Sequence, residues 1–256
     1  DEEIQQMAEI VGESIDGGAV GFSTNRYPPH VGPDGRSIPG TYAEAKELLE
    51  IAKVVGKKRG LMQNVLDFGG QPEFSVKLLK DLASTTKDRI LFSMGTGPDL
   101  ESGKRVRGLL KELCSEGGDI TAISQPRSSG FMFGLQSGLP FAGETWEKVR
   151  AMDLKGRLAA IRDQVTRNKL IDEASSSKES LPYHLVFWLG DEETPDYAAG
   201  VEKCVAEMSK ERGIHPSELF LNLSDESDGK TLFNYRMFNQ NLEAAGEMFL
   251  SDRIFP

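Results

Sequence analysis

The sequence is poor in the residues that most often do chemistry. Its 256 residues include three histidines and two cysteines. There is no CxxC and no HxxxH, so none of the short local zinc signatures is present. Cys114 and Cys204 are far apart and both fall in helical patterns. They read as buried free thiols in a reducing, cytoplasmic setting. No apolar run approaches the roughly 20 residues that span a bilayer, and the acidic opening DEEIQQMAEI has no signal-peptide core. Positive charge is also short, with 30 Lys and Arg against 40 Asp and Glu, a net charge of −10. That balance argues against nucleic acid and against anionic membrane surfaces. No GxGxxG follows a strand and no GxxxxGK[ST] occurs, which weakens a nucleotide-binding open sheet.

What is present is a βα rhythm in a chain with 38% hydrophobic residues, enough for a sizeable core. Ile4, Met7, Ala8, Val11 and Ile15 keep helical spacing over 1–16. Strands are expected at 19–23, 61–68, 89–95 and 120–125. Between them, helices are expected at 42–58, 73–86 and about 99–116. A spacing of roughly 30 residues is one βα unit, and helical crossovers imply parallel strands. An open doubly wound sheet and a (β/α)8 barrel both fit.

The stretch Gly18 to Ala43 organises this half. A short apolar strand runs into Ser23, Thr24, Asn25 and Arg26, then into a loop kept irregular by Pro28, Pro29, Pro33 and Pro39. Thr41 with Glu44 reads as a capping box for the next helix. After residue 126 the rhythm changes. Residues 127–141 read as a glycine-punctuated loop carrying three Phe and a Met, either a plug or an apolar lid. Helices are expected at 146–151 and 154–174, then a surface linker at 175–180 and a strand or wedge at 183–190. Further helices are expected at 195–212, 215–223 and 241–251.

In a barrel, residues just past each strand face the catalytic end. The candidates for contact with a small molecule are Ser23, Asn25, Arg26 and Tyr27, then Gln63, Asn64 and Asp67, then Ser93 and Thr96, then Gln125, Arg127 and Ser128. Arg26 and Arg127 suit a ligand carboxylate, which a guanidinium holds with two parallel hydrogen bonds. The three histidines do not cluster. His215 before Pro216 reads as a helix-start residue, and His184 as a hydrogen-bonded core histidine. His30, in the long loop, is the histidine placed to reach a site mouth. No constellation within the chain supplies an activated water, a base and an electrophile together, so no catalytic residue is assigned.

The stretches GAVGFST with the downstream YPP, PGTYAEAKELLEIAK, SQPRSSGFMFGLQS, WEKVRAMDLKGRLAAIRD and HPSELFLNL with LFNYRMFN resemble the D-aminoacylase (N-acyl-D-amino-acid deacylase) branch of the amidohydrolase superfamily. The resemblance implies α/β architecture: a partial, metal-dependent (β/α)8 barrel truncated at both ends. The four strands would be its fourth to seventh, and an eighth would begin just after Pro256. It implies that 1–256 is the central part of one barrel domain, with 127–190 an insertion capping the catalytic face. It also implies a zinc-dependent hydrolase of C–N amide bonds acting on an N-acyl amino acid, with an HxH pair and a catalytic Asp outside these residues. The sequence departs from that pattern where strand-end histidines are expected. Val65 and Met94 lie nearest those places, and Asp67 is the one acidic residue close by. A metal-poor barrel that binds a small carboxylate without hydrolysis is the alternative.

Overall fold

A computed structural model describes residues 2–32, 34–86, 89–115, 117–178, 181–190, 192–197 and 199–256. Pro33 of the long loop, Glu116 at the end of an expected helix, and Glu179 and Ser180 of the expected linker lie outside the described residues. The chain divides into two compact units. One is Asp1–Arg127 with Asn241–Pro256, and the other is Ser128–Gln240. The expected insertion at 127–190 falls almost wholly in the second unit, which runs on to Gln240.

The first unit opens with α1 (Glu2–Asp16), β1 (Gly21–Asn25), α2 (Ala45–Lys57) and β2 (Leu61–Val65). It continues with α3 (Pro72–Thr86), β3 (Ile90–Ser93), α4 (Glu101–Ser115) and β4 (Ile120–Ile123). In the second unit are β5 (Ser129–Phe133), α5 (Glu144–Arg150), α6 (Leu154–Arg162), α7 (Gln164–Ser176) and β6 (Val186–Trp188). Then come α8 (Val205–Arg212), α9 (Pro216–Glu226) and β7 (Phe233–Phe238). The chain returns to the first unit with α10 (Leu242–Phe249) and β8 (Ile254–Phe255).

The first unit's sheet has the order β1-β2-β3-β4-β8, all parallel. The order never reverses, so it lacks the switch point of a doubly wound sheet. Side chains alternate between faces along a strand. Thr24, Met62, Asn64, Ile90, Phe92, Ile120, Ala122 and Ile254 form the buried face. There they pack with Leu48, Ile51 and Val55 of α2, Leu78, Leu79 and Leu82 of α3, Leu110 of α4 and Met248 of α10. The other face carries Ser23, Asn25, Leu61, Gln63, Val65, Leu91, Ser93, Thr121, Ile123 and Phe255, which are half-buried or exposed. The helices of this unit therefore sit on one side of its sheet.

Several expected boundaries shift. β1 runs to Asn25, two residues beyond the expected end, because its pairing with β2 continues through Asn25↔Val65 and Arg26 N–H donates to Val65 O at 2.8 Å. The capping box at Thr41 does not form. Thr41 Oγ1 instead donates to Ile38 O at 2.8 Å, and α2 starts after Glu44 with no side-chain cap. The strand expected after Pro256 begins earlier, at Ile254.

The second unit contains an antiparallel sheet, β5-β7-β6. Residues 129–133, expected to be loop, form one of its two edge strands. Gly130 allows this, since a Cβ there would lie 1.8 Å from Tyr235 O. The single helix expected over 154–174 is two helices. Asp163 leaves the helical conformation and accepts from Thr166 N–H at 2.9 Å and Thr166 Oγ1 at 2.7 Å, which starts α7 afresh. The helix expected at 195–212 shortens to α8, preceded by a single 3-10 turn at Val201–Lys203. Pro195 and Gly200 both disfavour helix interior. Phe133, Phe141, Trp146, Phe220 and Phe233 make the centre of this unit's core.

Candidate functional site

The extension of β1 decides which candidates meet. Ser23 and Asn25 lie inside the strand and share its half-open face, and Gln63 is the register partner of Ser23 on β2. Ser23 Oγ donates to Gln63 Oε1. Asn25 stands one strand step above and pairs with Val65. Its Oδ1 accepts from Tyr27 N–H at 2.8 Å, and its Nδ2 lies 2.5 Å from His30 Nδ1. The Tyr27 and His30 rings meet edge to face with centroids 5.1 Å apart. Ser23 and Gln63 thus form one bonded pair midway along β1 and β2, and Asn25, Tyr27 and His30 form a second bonded group at the C-terminal end of β1, on the same face.

Arg26 departs from that cluster. Alternation turns its side chain to the helix side, where the guanidinium stacks over Phe74 of α3 at 4.7 Å. Burial pushes its pKa down, and the nearby Glu47 carboxylate pushes it back up. One nitrogen, Nη1, is buried with no hydrogen-bond partner. Asn64 is fully buried on the same helix side. Its Nδ2 donates to Met62 O at 3.2 Å and Leu91 O at 3.4 Å, so it is a core residue rather than a strand-end contact. Asp67 shapes the turn into α3. Its Oδ1 accepts from Gly70 N–H at 2.7 Å, and its main-chain oxygen accepts from Ser75 Oγ at 3.0 Å. Gln125 and Arg127 are exposed in the segment that leaves β4. Ser128 Oγ donates to Asn239 O at 2.8 Å.

The histidines sort differently from one another. His215 starts α9 as expected, its Nδ1 accepting from Ser217 N–H at 3.2 Å. His184, expected in a core, is exposed in a 3-10 turn. The Asn25–His30 bond was the feature sequence reasoning missed. Its signal was the intervening Pro28-Pro29, which turns the chain so that His30 N–H reaches Tyr27 O at 3.0 Å.

No family model and no curated protein matches this chain. Among solved structures it is similar to an N-acyl-D-glutamate deacylase from Bordetella bronchiseptica, complexed with zinc and a phosphonate mimic of the reaction's tetrahedral intermediate. That likeness has 15% identity and a TM-score of 0.49, covering 99% of this chain and 42% of the other. A D-aminoacylase described as defining a novel subset of amidohydrolases shows 15% identity and a TM-score of 0.46 over 94% of this chain and 40% of its own. A D-aminoacylase variant in complex with copper chloride is similar at 14% identity and a TM-score of 0.47. The chain spans about two-fifths of the length of these structures. At such identities and scores the likenesses assign no activity.

Zinc takes ligands from Cys, His, Asp and Glu. The strand-end positions on the half-open face are Asn25, Val65, Ser93, Ile123 and Phe255, none of which is a zinc ligand. Among the described residues no three His, Cys, Asp or Glu come together in a way that could hold a metal ion. Asp67, the acidic residue near β2, already serves Gly70. Among the described residues, the side chains at these strand ends do not fit a zinc ion. The chemistry of Ser23, Gln63, Asn25, Tyr27 and His30 is that of hydrogen bonding: hydroxyl, carboxamide and imidazole groups.

Proposed function

We propose that this chain supplies substrate contacts to a hydrolase of carbon–nitrogen amide bonds, acting on an N-acyl-D-amino acid or a related amide. In this reading the sheet is a run of consecutive strands of a (β/α)8 barrel. The supporting observation is the Asn25–Tyr27–His30 group at the C-terminal end of β1, on the same face as the Ser23–Gln63 pair further down, in parallel strands that run in sequential order with helices on one face only. In barrels of that order the substrate sits at this end. Ser23, Gln63 and Asn25 offer both donors and acceptors to an amide. Tyr27, Gln125 and Arg127 are the residues proposed for the carboxylate side, around the strand-end rim; Arg26, stacked on Phe74 on the helix side, would have to turn away from that ring to join them. No described helix is long and apolar enough to cross a membrane. Free Cys114 and Cys204 support a reducing, cytoplasmic setting.

A second reading is a binder of small carboxylates that does not hydrolyse. It is favoured by the absence of metal-ligand side chains at the strand ends. Metal analysis by inductively coupled plasma mass spectrometry, beside a panel of N-acetyl amino acids, separates the two. The hydrolase reading expects release of the free amino acid from at least one member of the panel. Binding without turnover, by a metal-free protein, overturns it. Stoichiometric zinc that leaves together with activity overturns the second reading.

A further inference from the structure

We propose that His30 is a ligand-binding residue of this site, presenting its Nε2–H to a carboxylate or acyl oxygen, and that Asn25 is the positioning residue that fixes this tautomer. The choice of probe rests on the proposed function above, while the tautomer does not.

The argument runs through donors and acceptors. Tyr27 N–H can only donate, so the Asn25 atom that faces it at 2.8 Å is the carbonyl Oδ1. The other Asn25 atom is then the amide nitrogen, which can only donate. It lies 2.5 Å from His30 Nδ1, so Nδ1 must accept. The imidazole proton is thereby assigned to Nε2. Three constraints hold the ring: the Asn25 amide, the edge-to-face contact with Tyr27 at an interplanar angle of 82°, and the backbone bond from His30 N–H to Tyr27 O. Pro28 and Pro29 between them fix two φ angles. Nε2 itself makes no hydrogen bond among the described residues. A half-buried ring, held by two contacts on a backbone that is itself bonded, and with its donor unused, is preorganised, so little ordering cost remains when a ligand arrives. The ligand class follows from what this N–H beside Asn25 can recognise, an oxygen acceptor, bound most strongly when it carries negative charge.

The test uses protein labelled with 15N at histidine and long-range 1H–15N correlation, with His30 assigned by the signals lost in His30→Gln. The wild type is expected to show the Nε2–H pattern. Asn25→Asp replaces the donor by an acceptor of the same shape, and the proton is expected to move to Nδ1. Addition of N-acetyl-D-alanine is expected to shift the His30 Nε2–H resonance. His30→Ala is expected to weaken the probe by about tenfold or more, the worth of one charge-assisted hydrogen bond. His30→Gln, which keeps a terminal N–H, is expected to restore most of that loss. A wild-type ring protonated at Nδ1, or His30→Ala binding the probe as tightly as wild type, overturns the inference. Acetate is the second probe. If acetate shifts the Nε2–H resonance where N-acetyl-D-alanine does not, the inference holds and the acyl-amino-acid reading falls. If neither shifts it, the inference falls.

Discussion

Glu173 on α7 caps the start of α5 through Thr145. Its carboxylate accepts from Thr145 N–H at 3.0 and 2.9 Å and from Thr145 Oγ1 at 2.6 Å. Gly143, just before α5, leaves room for it, since a Cβ there would meet Glu173 Oε2. The first N–H groups of a helix have no partner within it. Glu173 supplies one from a different helix. Glu173→Ala is expected to cost about 1–3 kcal/mol. Glu173→Gln, which keeps one acceptor oxygen, should cost less. Urea denaturation of the two variants checks the order.

Arg157 does a comparable task with one guanidinium. Nη1 donates to Leu135 O at 2.8 Å and Ser137 O at 2.7 Å, Nη2 to Arg150 O at 2.6 Å, and Nε to Met152 O at 3.0 Å. A lysine carries the charge but not the fork. Arg157→Lys is expected to lose about 1–3 kcal/mol, because the part-buried carbonyls of Leu135 and Arg150 lose their donors. Amide hydrogen exchange over 135–142 should speed up before the rest of the unit responds.

His215 makes the second unit sensitive to mild acid. Burial lowers its pKa, and the Glu218 carboxylate raises it by less. Its Nδ1 must stay unprotonated to accept from Ser217 N–H. When the folded pKa lies below the unfolded one, the unfolded chain binds more protons in the interval between them, so stability rises with pH there. Stability is therefore expected to be full above about pH 6.5, the ordinary histidine value, and to fall as pH drops below it. His215→Asn keeps a cap acceptor and should flatten this part of the profile. A profile for His215→Asn as steep as that of wild type would remove His215 as the cause.

Arg26 tests whether its stacked guanidinium is there for stability or for a ligand. It has one aromatic contact and one buried nitrogen without a partner. Replacement by an apolar chain of similar length is close to neutral at such sites. Arg26→Met should stay within about 1 kcal/mol of wild type in the absence of ligand. The rise in melting temperature caused by an N-acyl amino acid should shrink if Arg26 holds its carboxylate. An unchanged rise would exclude that role.

The parallel half of the fold was legible because long apolar helices and short apolar strands alternate with glycine and proline between them. The end of β1 was not legible. Ser23, Thr24 and Asn25 favour turns, and the partner strand overrides that preference through the pair Ser23↔Gln63 and two further register pairs, Thr24↔Asn64 and Asn25↔Val65. Those two extra residues decide the candidate site, since they put Ser23 and Asn25 on one face and send Arg26 to the other. Asn64 was misjudged for the same reason: one step of register separates it from Gln63. In the second unit β6 falls within the strand or wedge expected at 183–190, but β5 and β7, five and six residues rich in Phe and Met, give too little alternation to be told from loop. Asp163 looked like one polar residue within a helix, and its capping bond to Thr166 became visible only with coordinates.

The second unit interrupts the first between β4 and α10, so β8 reaches β4 only after the whole of 128–240 has been made. A flexible segment of that length would impose an entropy of closure on the pairing of β4 with β8. The second unit removes most of it by itself. Ser129 pairs with Phe238, and Ser128 Oγ bonds Asn239 O, so its two ends are clasped by its own sheet. Once folded, it acts on the first unit as a short turn would. Of the five strands of this sheet β8 is made after the other four, and the clasp between β5 and β7 shortens the loop that its pairing with β4 must close.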